Sequence, residues 1–295
     1  MKYKKRAGER VFDIFNYSFM VLLIVVTVYP FMHLFFTSLS DVAVLKQTGN
    51  TFMFWPKGFS LEAYRNSLSN SRITRAFMMS VFYVAAATLY NVTLTLTGGY
   101  VLSRRNLLWK NVIMVIIIIP MFFGGGLIPS YLVNTNVLHL KNSVWVMIVG
   151  AISSYSMVMV RTNIQQVPLE MEESAFIDGA GHFQVLFRVL SPLVKPIIAV
   201  ISLWSAVGTW NDWFRPLIYF TDSKLFPLQV ILREILVESS DKAMNMTGIA
   251  GPNRIHYAET IKGAVAMIAT IPILCVYPFL QKYFTKGIMI GALKG

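Results

Sequence analysis

From Ile14 to Ser38 the chain reads IFNYSFMVLLIVVTVYPFMHLFFTS, without one Asp, Glu, Lys or Arg. A helix that crosses a bilayer needs about 20 consecutive, mostly apolar residues, and this run supplies them. Five further stretches come close: about 76–102, 112–133, 143–160, 197–220 and 261–280. Together they hold more apolar surface than one aqueous core can bury. The chain is 55% hydrophobic and only 14% charged, against roughly 25% charged in soluble domains. A disordered chain, a collagen and a disulfide mini-protein are excluded on this ground, and an ordinary soluble enzyme fits poorly. The expectation is an all-α integral membrane protein, with six transmembrane helices in one domain over 1–295.

The basic lead Lys2 to Arg10 would suit a signal peptide. The apolar run behind it is too long, and no small-x-small cleavage site follows, so the segment reads as a retained helix. Basic residues also set orientation. Lys2, Lys4, Lys5, Arg6 and Arg10 lie in the N-terminal tail. Arg104, Arg105 and Lys110 lie in the short second connection, and Lys282, Lys286 and Lys294 in the C-terminal tail. Six crossings bring these three segments to one face, which is assigned to the cytoplasm. The 26 Lys and Arg divide almost evenly between the two faces; the assignment rests on the weight that the rule gives to short segments. Two outer connections are long, about 39–75 and 221–260. They contain the turn sequences Trp55-Pro56-Lys57-Gly58 and Gly251-Pro252-Asn253. Such loops either cover the bundle or meet an external partner.

Three of the runs contain residues that plain membrane helices lack. Pro120, Gly124-Gly125-Gly126 and Pro129 interrupt the third. Unpaired backbone cannot face lipid, so this break is either a kink inside a packed bundle or the border of a solute path. The second run carries Asn91, Thr93, Thr95, Thr97, Gly98 and Gly99, residues suited to close helix contact. Asn91 is either interhelical glue or a solute contact. The fifth run ends in Trp210-Asn211-Asp212-Trp213-Phe214-Arg215-Pro216. Trp210, Asn211 and Trp213 read either as an interfacial aromatic belt or as sugar contacts, with flat faces for C–H surfaces and polar tips for hydroxyls. Asp212 and Arg215, three apart, are spaced to pair.

Catalytic chemistry is hard to place. Cys275 stands alone, and His33, His139, His182 and His256 show no ligand spacing, so no metal is expected. No Gly-x-x-x-x-Gly-Lys-[Ser/Thr] occurs, so this chain has no such cradle for ATP. A membrane-embedded enzyme would need a nucleophile–base pair or a metal cluster within the runs, and none is evident. A receptor-like membrane protein is the other alternative.

The segment of about 166–192 is too short and too amphipathic to cross. Pro168 suits the start of a helix; Glu170, Glu172 and Glu173 follow in its first turns, where the helix dipole favours negative charge. Asp178-Gly179 is a turn dipeptide. Phe183, Leu186, Phe187 and Leu190 then recur at helical spacing before Pro192 and Pro196. The pattern predicts a helical hairpin lying at the membrane surface.

This hairpin resembles the EAA loop of binding-protein-dependent ABC import permeases. Glu173-Ser174-Ala175, then Gly179, then Val189-Leu190-Ser191-Pro192 stand at the family's spacing. Ser174, Val189 and Ser191 are the departures from its Ala, Ile and Leu. Ala175-Phe176-Ile177-Asp178-Gly179-Ala180 is similar to the sugar-importer version. The ending Tyr277 to Gly295 resembles the tail of MalG-like carbohydrate permeases. Phe123 to Tyr131, Trp210-Asn211 and Pro227 to Glu234 resemble their LplC-like branch. The resemblance implies a type I ABC importer permease fold in a bacterial cytoplasmic membrane, with both termini cytoplasmic. It implies an ABC ATPase dimer that binds ATP and Mg, a second homologous permease subunit, an extracytoplasmic solute-binding protein and an oligosaccharide or other small solute as cargo. No cofactor on this chain and no nucleic-acid partner are expected. Glu173, Ser174, Ala175, Asp178, Gly179, Ala180 and Phe183 would couple to the ATPase. Lys286, Gly287, Gly291 and Lys294 in the tail would reach toward it. Asn91, Gly124, Gly125, Gly126, Trp210, Asn211 and Trp213 are the candidates for the solute path.

Overall fold

A computed structural model describes residues 7–48, 52–150, 152–237 and 258–276. The described residues are helical and contain no strand, only an isolated bridge between Ser40 and Phe59. They fall into two compact units, one from Met1–Ser71 with Glu234–Thr270 and one from Arg72–Arg233 with Ile271–Gly295.

In the first unit α1 (Ala7–Ser38) is the long apolar run, extended by two turns at its start. Most of its apolar side chains are exposed, as lipid-facing residues are. Its end is buried and closed by polar bonds: Ser38 Oγ and Tyr64 Oη lie 2.7 Å apart. α2 (Val42–Thr48) begins on Asp41, whose Oδ1 accepts the backbone N–H groups of Ala43 and Val44 at 2.8 and 3.2 Å. This is N-capping, which satisfies donors that a helix start leaves unpaired. α3 (Glu62–Ser69) follows a turn at Gly58, where φ is +64°.

The second unit is organised around α4 (Ser71–Ser103). Its buried residues Ile73, Ala76, Ser80, Tyr83, Ala87, Asn91, Thr95, Gly99 and Leu102 recur every three or four positions, one face of a helix. α5 (Lys110–Phe122) and α6 (Leu127–Val137) form a pair bent by 117°. Pro120 lies within α5 and Pro129 in the first turn of α6, where no donor is needed. The glycines make the break, with Gly126 at φ +79°. Next come α7 (Trp145–Val149), α8 (Ser154–Gln165), α9 (Glu170–Ile177) and α10 (His182–Leu193). α10 turns by 90° into α11 (Lys195–Trp210), and α12 (Phe214–Tyr219) follows. The remaining helices are α13 (Leu228–Val237) and α14 (Ala258–Val276).

Among the described residues three helices are long and apolar enough to cross a membrane: α1 after its first residue, α4 and α14. Counting each bent pair, α5 with α6 and α10 with α11, as one span raises this to five. The run expected over about 143–160 is not one helix. It breaks after Val149 because Ser153 turns its hydroxyl onto the Ser156 N–H at 3.3 Å and starts α8 afresh. The fifth run breaks at Asn211–Trp213, where the Asp212 carboxylate accepts the Arg215 N–H at 3.1 Å. The last four residues of the sixth run, 277–280, lie outside the described residues.

α4 and α8 approach closely at two glycines, in the manner of small residues between membrane helices. A Cβ on Gly99 would sit 2.6 Å from Val160 Cγ1 and 3.1 Å from the Arg161 backbone nitrogen. A Cβ on Gly98 would meet only the tip of Met157, at 2.8 Å, and that flexible side chain can move aside. Gly99→Ala is therefore expected to destabilise the protein by about 1–3 kcal/mol, as overpacking does. Gly98→Ala is expected to be close to neutral. Thermal unfolding of the two variants in detergent checks the contrast.

Candidate functional site

The hairpin of α9 and α10 carries the first group of candidate residues. Glu170, Glu172 and Glu173 occupy the first turn of α9. Gly179, at φ +82°, turns the chain after Asp178. A side chain rarely tolerates that conformation. Gln184 Oε1 accepts the Gly181 N–H at 3.0 Å and closes the start of α10. Inside α10, Val185–Leu190 is a π-helical stretch, and the Ser191 hydroxyl donates to Leu186 O at 2.8 Å.

One face of this hairpin is packed. Val185, Leu186 and Leu190 join a core with Leu96 and Tyr100 of α4 and Val160 and Ile164 of α8; Ala175, Phe176 and Ala180 pack against it. The other face is open. Glu173, Ser174, Asp178 and Gly179 are exposed, and so are the apolar side chains Ile177 (86%), Phe183 (74%) and Phe187 (45%). The expected stripe of four apolar residues in α10 is thus split: Leu186 and Leu190 face inward, Phe183 and Phe187 do not.

The hairpin is clamped to the end of α4 by residues that sequence reasoning had not joined. Arg104 Nη1 pairs with Glu172 Oε2 at 2.6 Å. The same guanidinium lies over the Tyr100 ring at 4.0 Å and near the Phe176 ring at 5.9 Å, a cation–π arrangement. Tyr100 Oη shares a 2.9 Å hydrogen bond with His182 Nδ1, and the His182 ring meets Phe176 edge-on at 5.2 Å. From α8, Arg161 Nε donates to Leu102 O at 3.3 Å. The signal was present in part, since Arg104 had been read only as a topogenic charge and His182 as an isolated polar group. Nothing local in the sequence pairs Arg104 with Glu172 or His182 with Tyr100.

The second group surrounds a cavity of ≈ 560 Å³ within the same unit. It is lined by Pro120 and Met121 of α5, by Gly150, Ile152, Ser153 and Ser154, and by Tyr155, Trp204, Ser205, Gly208, Thr209 and Arg215. The broken third and fifth runs thus border one space. None of the named candidates is among its lining residues. Asn91 is buried and accepts the Thr95 hydroxyl at 3.1 Å within α4. Trp210 is buried, with its ring edge-on to Phe77 at 5.9 Å. Trp213 meets Phe214 edge-on at 5.6 Å and carries Arg233 over its face at 5.0 Å. Asn211, Gly124, Gly125 and Gly126 are exposed. Asp212 and Arg215 do pair, Nε to Oδ2 at 2.6 Å. Lys286, Gly287, Gly291 and Lys294 lie outside the described residues. Among the described residues no group of His, Cys, Asp and Glu is placed to hold a metal ion.

Comparison with known proteins places this geometry in context. The family described as binding-protein-dependent transport system inner membrane component matches residues 72–290. Protein LplC of Bacillus subtilis (strain 168) is 39% identical over 291 residues, covering 98% of this chain and 97% of that protein. The polygalacturonan/rhamnogalacturonan transport system permease protein YtcP of the same organism is 37% identical over 288 residues, 97% of this chain and 99% of its own. Among solved structures, a chain of a bacterial ABC transporter involved in the import of the acidic polysaccharide alginate superposes with a TM-score of 0.86. That chain is 27% identical and is covered in full, against 96% of this one.

Removing one side of the clamp is expected to loosen the hairpin. Arg104→Leu and Glu172→Gln each leave a charge or donor without its partner, at a cost of roughly 1–2 kcal/mol for this partly exposed pair. That corresponds to about tenfold faster amide exchange over the hairpin. The double variant is expected to cost less than the sum of the two. Hydrogen exchange on the purified protein checks both statements.

Proposed function

The chain belongs to the family of binding-protein-dependent transport system inner membrane components, and we propose that it forms part of the membrane passage of an ATP-driven importer of oligosaccharides. The observation that carries this reading is the 37% identity, along 97% of this chain, to a permease of a polygalacturonan/rhamnogalacturonan transport system. The likeness to a chain of an alginate importer supports the same cargo class.

ATP hydrolysis then takes place on a separate ABC ATPase dimer, which holds ATP and Mg. A second, related permease subunit completes the passage, and an extracytoplasmic binding protein delivers the oligosaccharide. The chain crosses six times with both termini in the cytoplasm. On this assignment α7 and α8 share the fourth crossing and α11 with α12 makes the fifth. The C-terminal residues Lys286, Gly287, Gly291 and Lys294 reach toward the ATPase.

The hairpin supplies the coupling. Its exposed face, Glu173, Asp178, Ile177 and Phe183, docks on the ATPase; its packed face, Ala175, Phe176 and Ala180, meets the core. Two rigid routes lead away from it. Arg104 and Tyr100 tie it to α4. α10 runs through a 90° bend at Val194 into α11, whose later turns carry Trp204, Ser205 and Thr209 at the cavity. A push on the hairpin thereby moves two walls of the unit that holds the cavity. Direction of transport follows if ATP-bound and ATP-free ATPases hold the hairpin in different positions.

Two outcomes are expected. Gly179→Asp forces a side chain into the left-handed region, which costs about 1–2 kcal/mol. It is expected to abolish uptake and cargo-stimulated ATP hydrolysis while membrane insertion persists; normal uptake would remove the coupling role. A crosslinker attached through Ile177→Cys, on the open face, is expected to capture the ATPase subunit in intact cells. Repeated failure to capture one speaks against the docking assignment.

A further inference from the structure

The cavity beside α11 contains a basic side chain held from one edge only. Asp212 Oδ1 accepts the Arg215 backbone N–H at 3.1 Å, and Oδ2 accepts Arg215 Nε at 2.6 Å. Both carboxylate oxygens are thus engaged in fixing the inner edge of the guanidinium. Arg215 Nη1 is buried and has no hydrogen-bond partner. Ser205 Oγ is also buried without a partner, and both residues line the ≈ 560 Å³ cavity. That volume falls in the range of about 300–1,000 Å³ usual for ligand sites.

A donor without an acceptor does not make a site. Arg104 also has two such nitrogens, Nε and Nη2. Its guanidinium, however, lies on the Tyr100 ring at 4.0 Å and bonds Glu172 through Nη1. Among the described residues no ring covers Arg215. Its Nη1 packs against Gly150. A Cβ built on Gly150 would come within 2.7 Å of Nη1, so only a glycine at 150 leaves the head group where it is. The same cavity offers flat apolar faces from Tyr155 and Trp204, whose rings lie 5.9 Å apart.

We infer that Arg215 and Ser205 form a subsite for the carboxylate of an acidic oligosaccharide, one built from uronate units. This rests on the importer reading and narrows its cargo. A guanidinium matches a carboxylate in charge and in the spacing of its N–H groups, and such bonds are stronger than those to a neutral hydroxyl. The Asp212 carboxylate tempers the attraction by neutralising much of the charge of Arg215. A passage requires this balance, since a solute must enter and also leave. Tyr155 and Trp204 would take the apolar face of the sugar ring whose carboxylate Arg215 holds.

The test uses the full chain purified with the subunits that accompany it in the membrane. The probes are trigalacturonate and its fully methyl-esterified form, which has nearly the same shape and no charge. Binding of each to the purified assembly is measured by calorimetry. The acid is expected to bind at least about tenfold more tightly, the step that one good charged contact confers. Arg215→Gln and Gly150→Ala, which crowds Nη1, are expected to remove that preference and to change ester binding by less than about twofold. Ser205→Ala leaves the ion pair intact and is expected to weaken acid binding a few fold. Equal binding of acid and ester by the unaltered assembly overturns the subsite, as does an unchanged preference in Arg215→Gln. Uptake of labelled trigalacturonate by proteoliposomes, supplied with ATPase and binding protein, tests the importer reading separately. An assembly that binds the acid selectively without carrying it keeps the subsite and loses the importer.

Discussion

Backbone in hydrocarbon must satisfy its own hydrogen bonds, and a helix does so everywhere except at its ends. Each interruption in this chain therefore creates donors and acceptors that need local partners. The partners are side chains one turn away. Ser153 accepts from the Ser156 N–H at the start of α8, and Asp212 from the Arg215 N–H at the start of α12. Gln184 accepts from the Gly181 N–H at the start of α10. After the glycine break, the Ser130 hydroxyl donates to Gly126 O at 2.7 Å. Broken helices persist because each break is closed on the spot.

These closures decide where the functional features lie. Ser153 borders the cavity, as do Arg215, which Asp212 holds, and Pro120 of the bent pair. Intact helices would have filled that volume with one another's side chains. The Gln184 closure begins the segment that turns through 90° into α11. The hairpin is accordingly a continuation of a cavity wall, and its coupling to the rest of the unit needs no flexible linker. Arg104 adds a second attachment, on α4, whose buried stripe runs the length of the helix.

Much of this was legible in the sequence because it depends on local composition. The apolar runs of α1, α4 and α14 are helices long and apolar enough to cross a membrane. The acidic first turn of α9 and the turn at Gly179 are properties of a dozen adjacent residues. The break in the third run was written in three adjacent glycines. What escaped the sequence depends on contacts between distant segments or on one hydroxyl. Ile152-Ser153-Ser154 reads as acceptable helix, yet Ser153 caps a new helix there by accepting the Ser156 N–H. Arg104 and Glu172 sit in different connections, and neither is unusual alone. Trp210 looked available to solute as part of an aromatic cluster. The break at Asn211–Trp213 leaves it at the end of α11, where its ring lies against Phe77.

The two arginines illustrate how one residue type separates into two tasks. Each meets a single carboxylate in a setting where an unpaired charge is costly. Arg104 uses a terminal nitrogen for Glu172 and lays its face on Tyr100, and so ties two elements together. Arg215 uses its inner nitrogen for a carboxylate three residues away on its own segment, which fixes the side chain and joins nothing distant. Its outer nitrogen Nη1 is buried against Gly150 and has no hydrogen-bond partner. A buried arginine that bridges elements is explained by the fold. One that is oriented by its neighbour and keeps a buried donor without an acceptor is what the proposed subsite accounts for.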